Sequence, residues 1–230
     1  MPGRDPAPPR EACYAGAHAS RPRTSVSTFP STSPLPSTPR RILFLLASAR
    51  ENGNAEQLAR RTAEVLSPDT LVDWVRLDAY AHESFRDLRH TPEGYPEPSP
   101  AMRALAELTL AADELVFVAP VYWYSIPASA KLYLDHWSWW MRLPKLRFKE
   151  RMRGKVLSLI TSHASDDADG VEQPSISTLR MSADYLHMHW RGALVGHGDK
   201  PGEVLTDSPV LESARSFLLR PVGKPTTQVA

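Results

Sequence analysis

The sequence predicts an α/β domain: a doubly wound, five-stranded parallel sheet with helices on both faces. Three observations carry this. Apolar runs and helical stripes alternate five times along the chain. The runs are apolar on both faces rather than alternating, so their strands need helices above and below, as in a parallel sheet. The length of 230 residues suits one well-buried domain with extensions.

Residues 1–40 stand apart. Pro, Ser, Thr, Ala and Arg dominate, and no strand or helix period survives. Such a stretch cannot bury enough apolar surface to offset its ordering entropy, and it reads as a disordered extension. A Ser/Arg-rich, acid-poor leader also has the composition of an organelle transit peptide, but lacks the amphipathic helix such peptides carry. Residues 41–220 form the expected folded domain, and 221–230 a flexible tail.

Within the domain, Ile42 to Ala47 is a continuous apolar run, the first strand. Asn54 to Leu66 places Leu58, Thr62, Val65 and Leu66 on one helical face. Leu71 to Leu77 is the second strand. Ala101, Leu105, Leu108 and Ala112 mark a second helix, and Leu115 to Ala119 the third strand. Ile126, Ala130, Tyr133, Leu134, Trp137 and Met141 stripe a third helix. Lys155 to Ile160 is the fourth strand, Val171 to Leu186 a helix, Trp190 to Val195 the fifth strand, and Pro209 to Leu219 the closing helix.

Composition narrows the function. A formal charge of +1 gives no basic footprint for nucleic acid. No window holds the roughly 18 consecutive apolar residues of a membrane span. One cysteine, Cys13, allows no disulfide framework or thiolate metal cluster, and fits a reducing, cytoplasmic setting. In open α/β sheets, ligands bind beyond the carboxyl ends of the strands, where the winding direction switches. The loops after the first, third and fourth strands are therefore the places to look.

The first of these, Ser48 to Glu56, joins a buried strand to a helix N-terminus, whose free N–H groups and partial positive charge suit a phosphate. Ser48 offers a hydroxyl, Arg50 a guanidinium, and Asn54 an amide and a helix cap. Gly53 allows a tight turn. On residue chemistry alone the segment is equally a plain connection capped by Asn54. It contains neither G-x-x-x-x-G-K-[ST] nor G-x-G-x-x-G, which disfavours triphosphate chemistry and Rossmann-type anchoring. After the third strand, Pro120-Val121-Tyr122-Trp123-Tyr124-Ser125 puts three aromatic rings at a strand end. They either wall a flat ligand or fill a dimer seam.

Both segments resemble those of the flavodoxin-like NAD(P)H-dependent FMN reductases and quinone reductases. The family's G-S-x-R-x-x-G-N-[ST] is matched at Ser48, Arg50, Gly53 and Asn54, with Ala47 and Ala55 departing from it. Its [TS]-P-V-Y-W-G-S-x-P-[AG]-x-x-K-x-x-[LI]-D is matched at Pro120, Val121, Tyr122, Trp123, Ser125, Pro127, Lys131 and Asp135. Tyr124 stands where glycine is usual. The resemblance, over nearly all of residues 41–220, implies a flavodoxin-like fold and bound FMN. It also implies hydride transfer from NADPH or NADH to a quinone, a nitro or azo compound, or free flavin. Ser48, Arg50, Asn52, Gly53, Asn54 and Ala55 would hold the phosphate, and Pro120 to Ser125 the ring. The implied catalysis belongs to the cofactor, with no side-chain acid or base.

After the fourth strand, Ser162 and His163 are candidate contacts to the flavin edge, against the commoner reading of His163 as an exposed loop residue. His187 and His189 form an H-x-H pair without a third ligand, so no metal is read there. Gly196 to Gly202 reads as a plain turn. Lys131 and Asp135, at i and i+4, could pair on one helix face. Trp137, Trp139 and Trp140 read as an exposed oligomer interface, and the family commonly places its sites beside one, so a homodimer is expected. Two other readings stay open: an electron carrier, which a domain charge near −2 does not favour, and a flavin-free binding protein.

Overall fold

The computed structural model describes residues 38–80, 83–165 and 170–222. The expected leader and tail lie outside the described residues except for 38–40 and 221–222. Five strands form one sheet: β1 (Arg41–Leu46), β2 (Leu71–Arg76), β3 (Glu114–Val118), β4 (Val156–His163) and β5 (His189–His197). All neighbours are parallel, in the order β2-β1-β3-β4-β5. That is the flavodoxin-like order, and its winding switches between β1 and β3.

Six α-helices accompany the strands: α1 (Asn54–Ala63), α2 (Pro100–Ala111), α3 (Ala128–Trp140), α4 (Phe148–Met152), α5 (Gln173–Tyr185) and α6 (Ser208–Phe217). The period-two geometry of β1 divides its buried side chains between two cores. Leu43 and Leu45 pack with residues of α2, α3, α4 and α5. Ile42, Phe44 and Leu46 pack on the other face with residues of α1 and α6. This two-sided burial is why the strand reads as an uninterrupted apolar run.

The strand and helix order agrees with the sequence reading, and the differences lie at ends and in short pieces. The first helix stops at Ala63, short of Leu66, and α3 begins at Ala128 behind Pro127 as its cap. β4 and β5 run further than hydrophobicity suggests, because ladder pairing continues through polar residues. Thr161, Ser162 and His163 pair with Val195, Gly196 and His197. Ser162 and His163 are thus strand residues, not loop residues. Helix α4, five residues long, was not foreseen.

The expected interface tryptophans are a correction. Trp137, Trp139 and Trp140 are all buried within this chain. Phe148 of α4 packs on Trp137 and Trp140, with ring centroids 5.8 and 5.7 Å away. The segment between β2 and α2 covers the rest: the Trp139 indole donates to the Pro96 carbonyl (3.0 Å) and stacks on Tyr95. A seam predicted for a partner is filled by the protein's own connections.

Candidate functional site

An open cleft lies at the carboxyl ends of the strands. The loop after β1 contributes Ser48, Arg50, Gly53, Asn54 and Ala55, and the loop after β3 contributes Pro120, Val121 and Tyr122. Ser162, His163 and Ala164 come from the end of β4, and Gly198 and Asp199 from beyond β5. Four expected residues do not line it: Asn52, Trp123, Tyr124 and Ser125.

The β1 loop is bent by its own hydrogen bonds. The Ser48 hydroxyl accepts the Arg50 amide (3.0 Å) and lies 3.4 Å from the Tyr122 hydroxyl, across the cleft. Gly53 is the N-cap of α1, and the Gln57 amide closes the first turn onto its carbonyl (2.9 Å). The preceding helical amides have no carbonyl in their own helix to bond and point out of its start. The Arg50 side chain is exposed, with Nη1 3.5 Å from the Asp199 carbonyl.

Asn54 is not the cap. It is the first residue of α1, buried, with its amide turned toward the loop after β5. Nδ2 donates to the carbonyls of Gly198 (2.8 Å) and Lys200 (3.0 Å), while Oδ1 accepts the amides of Gly202 (2.9 Å) and Val204 (3.5 Å). All four bonding positions of the side chain are thereby filled. The approach leaves no room for a side chain at 198, where a Cβ would sit 2.8 Å from Nδ2. Gly196 to Gly202 is therefore part of the site's wall rather than a plain turn. The G-x-G at 196–198 was the available signal, legible only once β5 is known to end beside α1.

The aromatic segment forms a tight hairpin. The amides of Tyr122 and Ser125 bond each other's carbonyls at 3.0 and 3.1 Å, with positive φ at Trp123 (49°) and Tyr124 (61°). Two residues with φ above zero inside such a pair make a type I′ turn, normally the territory of Asn and Gly. Ser125 closes the turn, and the rings at its tip face solvent, Trp123 being 95% exposed.

His163 and His197, paired across β4 and β5, place their rings edge to face at 5.7 Å. His187 sits in a left-handed turn (φ 54°) and only His189 lies on the strand. Among the described residues no group of three or more His, Cys, Asp or Glu side chains is placed to hold a metal ion. Lys131 and Asp135 pair at 2.5 Å along α3, as their spacing allows.

The family model of the NADPH-dependent FMN reductases matches residues 40–195. The chain is 27% identical over 187 residues, covering 78% of itself and 97% of the relative, to Bacillus subtilis YwqN. That protein carries the name of an NAD(P)H-dependent FMN-containing oxidoreductase. Among solved structures, the Trp repressor binding protein of Bacillus subtilis superposes with a TM-score of 0.60 at 24% identity, over 78% of this chain and 99% of that one. An FMN-dependent NADH-azoreductase of Bacillus anthracis, solved with FMN, gives 0.53 at 16% identity, over 79% and 100%. The match, which runs through both loops and all of the sheet but the last two residues of β5, places the chain in the family of NADPH-dependent FMN reductases, and makes it an NAD(P)H-dependent flavin oxidoreductase.

Proposed function

We propose that the cleft binds FMN with its phosphate at the start of α1 and its ring beside Pro120, Val121 and Tyr122, and that the protein reduces a flat electron acceptor: a quinone, a nitro or azo compound, or free flavin. One observation carries the reading. The N-terminus of α1, the Ser48 hydroxyl and the Arg50 guanidinium converge on the same cleft that Tyr122 walls from β3. A phosphate needs donors and positive charge, and a tricyclic ring needs a flat apolar wall. The residues present fit both.

The Ser48 hydroxyl, having accepted the Arg50 amide, keeps a proton to donate. Arg50 adds a full positive charge where the helix supplies a partial one. Asn54 holds the loop after β5 in place instead of touching phosphate. Ala55 offers its backbone amide alone. Bound FMN supplies the redox chemistry, taking a hydride from NADPH or NADH and returning electrons to the acceptor. The amides of Tyr122 and Ser125 close the hairpin, so stabilisation of negative charge on the ring would come from Ser162 and His163.

A homodimer is part of this reading. Trp123 and Tyr124, exposed beside the cleft, and Met181 and Tyr185, exposed on α5, are large apolar side chains of the kind interfaces bury. Light scattering on the purified protein tests it. Among the described residues no helix is long and apolar enough to cross a membrane, and the single cysteine fits the cytoplasm. The deciding experiment is mass spectrometry of what dissociates from the denatured protein, followed by titration of apoprotein with FMN. Arg50→Ala should weaken FMN binding by about 10- to 100-fold, the worth of a charged hydrogen bond. Equal, negligible retention by Arg50→Ala and the parent would sink the proposal. Oxidation of NADPH or NADH with each acceptor class then ranks the substrates.

A further inference from the structure

The loop that faces the cleft is held by side chains that do not. Glu56, the third residue of α1, is 4% exposed and outside the cleft lining. Its Oε2 accepts the Asn52 amide (3.1 Å) and Arg76 Nη2 (2.9 Å), and its Oε1 accepts Arg60 Nη2 (3.1 Å). Arg76, the last residue of β2, also reaches back with Nη1 to the Ser48 carbonyl (3.4 Å). One carboxylate and one guanidinium therefore tie down both ends of residues 48–52.

This attachment has a conformational purpose. Asn52 holds a left-handed backbone (φ 53°), a conformation that a non-glycine residue keeps only when its surroundings enforce it. The Glu56 carboxylate fixes its amide, and Gln57 Nε2 fixes its carbonyl (2.6 Å).

We propose that Glu56 and Arg76 are positioning residues that shape the phosphate loop from outside the cleft, and so set the protein's preference for FMN over riboflavin, the same ring without a phosphate. The inference rests on the flavin reading of the cleft. Neither residue touches the ligand. Their effect reaches it through Asn52 and Ser48, and it acts on the phosphate end alone.

The test is titration of flavin-free full-length protein with FMN and, separately, with riboflavin, followed by flavin fluorescence. Arg76→Gln and Glu56→Gln should each weaken FMN by about 10- to 100-fold while riboflavin binding stays at the parent value. Arg60→Gln, which removes a half-exposed partner of Glu56 that has no contact with the loop, should leave both flavins near the parent. Should the glutamine variants fail to fold, Arg76→Lys decides. It keeps the charge but loses the fork that spans Glu56 and the Ser48 carbonyl, so FMN should weaken and riboflavin should not. Equal loss of both flavins in Arg76 and Glu56 variants, or no loss of either, overturns the proposal. A parent that binds neither flavin overturns the reading of the cleft and the proposal with it.

Discussion

Tyr124 shows what a single position can reveal. It stands where the family's glycine is usual, in a left-handed conformation, beside Trp123 in another. A side chain in that region costs about 1–2 kcal/mol against an ordinary one, and the Tyr124 ring buries little to offset this. Tyr124→Gly should therefore stabilise the protein by about 1 kcal/mol, read as a higher urea midpoint at unchanged slope. Should the ring contact the acceptor, the same variant raises its KM. Residue identity was legible in the sequence at this loop, but backbone conformation was not. Asn54 illustrates the gap more sharply. Asparagine before a helical stripe is a sound cap, and the G-x-G at 196–198 points to its amide only once β5 is known to end beside α1. Glu56 and Arg76, twenty residues apart in sequence, are invisible for the same reason: their pairing depends on β2 lying beside β1.

At the scale of elements, strands buried on both faces and long amphipathic helices were legible because burial writes itself into hydrophobic period. Helix α4 was not, since five residues hold little more than one turn. The stripe of α3 is legible, but its apolar excess reads in the sequence as a surface for a partner. The segment around Glu83 to Pro96, polar and without period, is what covers it. Within this contact lies His136, 2% exposed, whose Nε2 bonds the Glu83 carbonyl at 2.9 Å while its buried Nδ1 has no hydrogen-bond partner. Burial disfavours the imidazolium and outweighs the carbonyl's attraction, so the folded pKa lies below 6.5. The unfolded chain then binds the proton first as pH falls. Stability is complete above about pH 6.5 and declines below it, by up to about 1.4 kcal/mol per pH unit, until the folded pKa is reached. Urea midpoints at pH 7.5 and 5.5 should differ in the parent and differ less in His136→Gln. Identical declines in the two proteins would remove His136 as the cause.

Across the whole molecule, the two ends of the sheet are built differently. The carboxyl end carries the cleft, the exposed aromatic tip and left-handed residues at 52, 123 and 124. At the amino end of β3, Glu114 is 1% exposed and gathers four parts of the fold. Arg191 of β5 grips it with two bonds (2.6 and 2.8 Å), Ser158 of β4 donates at 3.1 Å, and Arg40, just before β1, pairs with the second oxygen. Both arginines continue to carbonyls at the end of α6, Arg40 to Leu218 (3.1 Å) and Arg191 to Phe217 (3.4 Å). A well-packed apolar replacement of the whole cluster could be neutral, but removing one member strands buried charge and costs about 3–5 kcal/mol. Glu114→Gln leaves Arg191, itself nearly buried, without a counter-charge. For a domain of this size the melting temperature should fall on the order of 10 °C. The cleft lies at the opposite end of the same strands, so FMN affinity measured well below the melt should match the parent. A fall in affinity together with stability would mean that the two ends are coupled, and that the sheet does not insulate the site from its foundation.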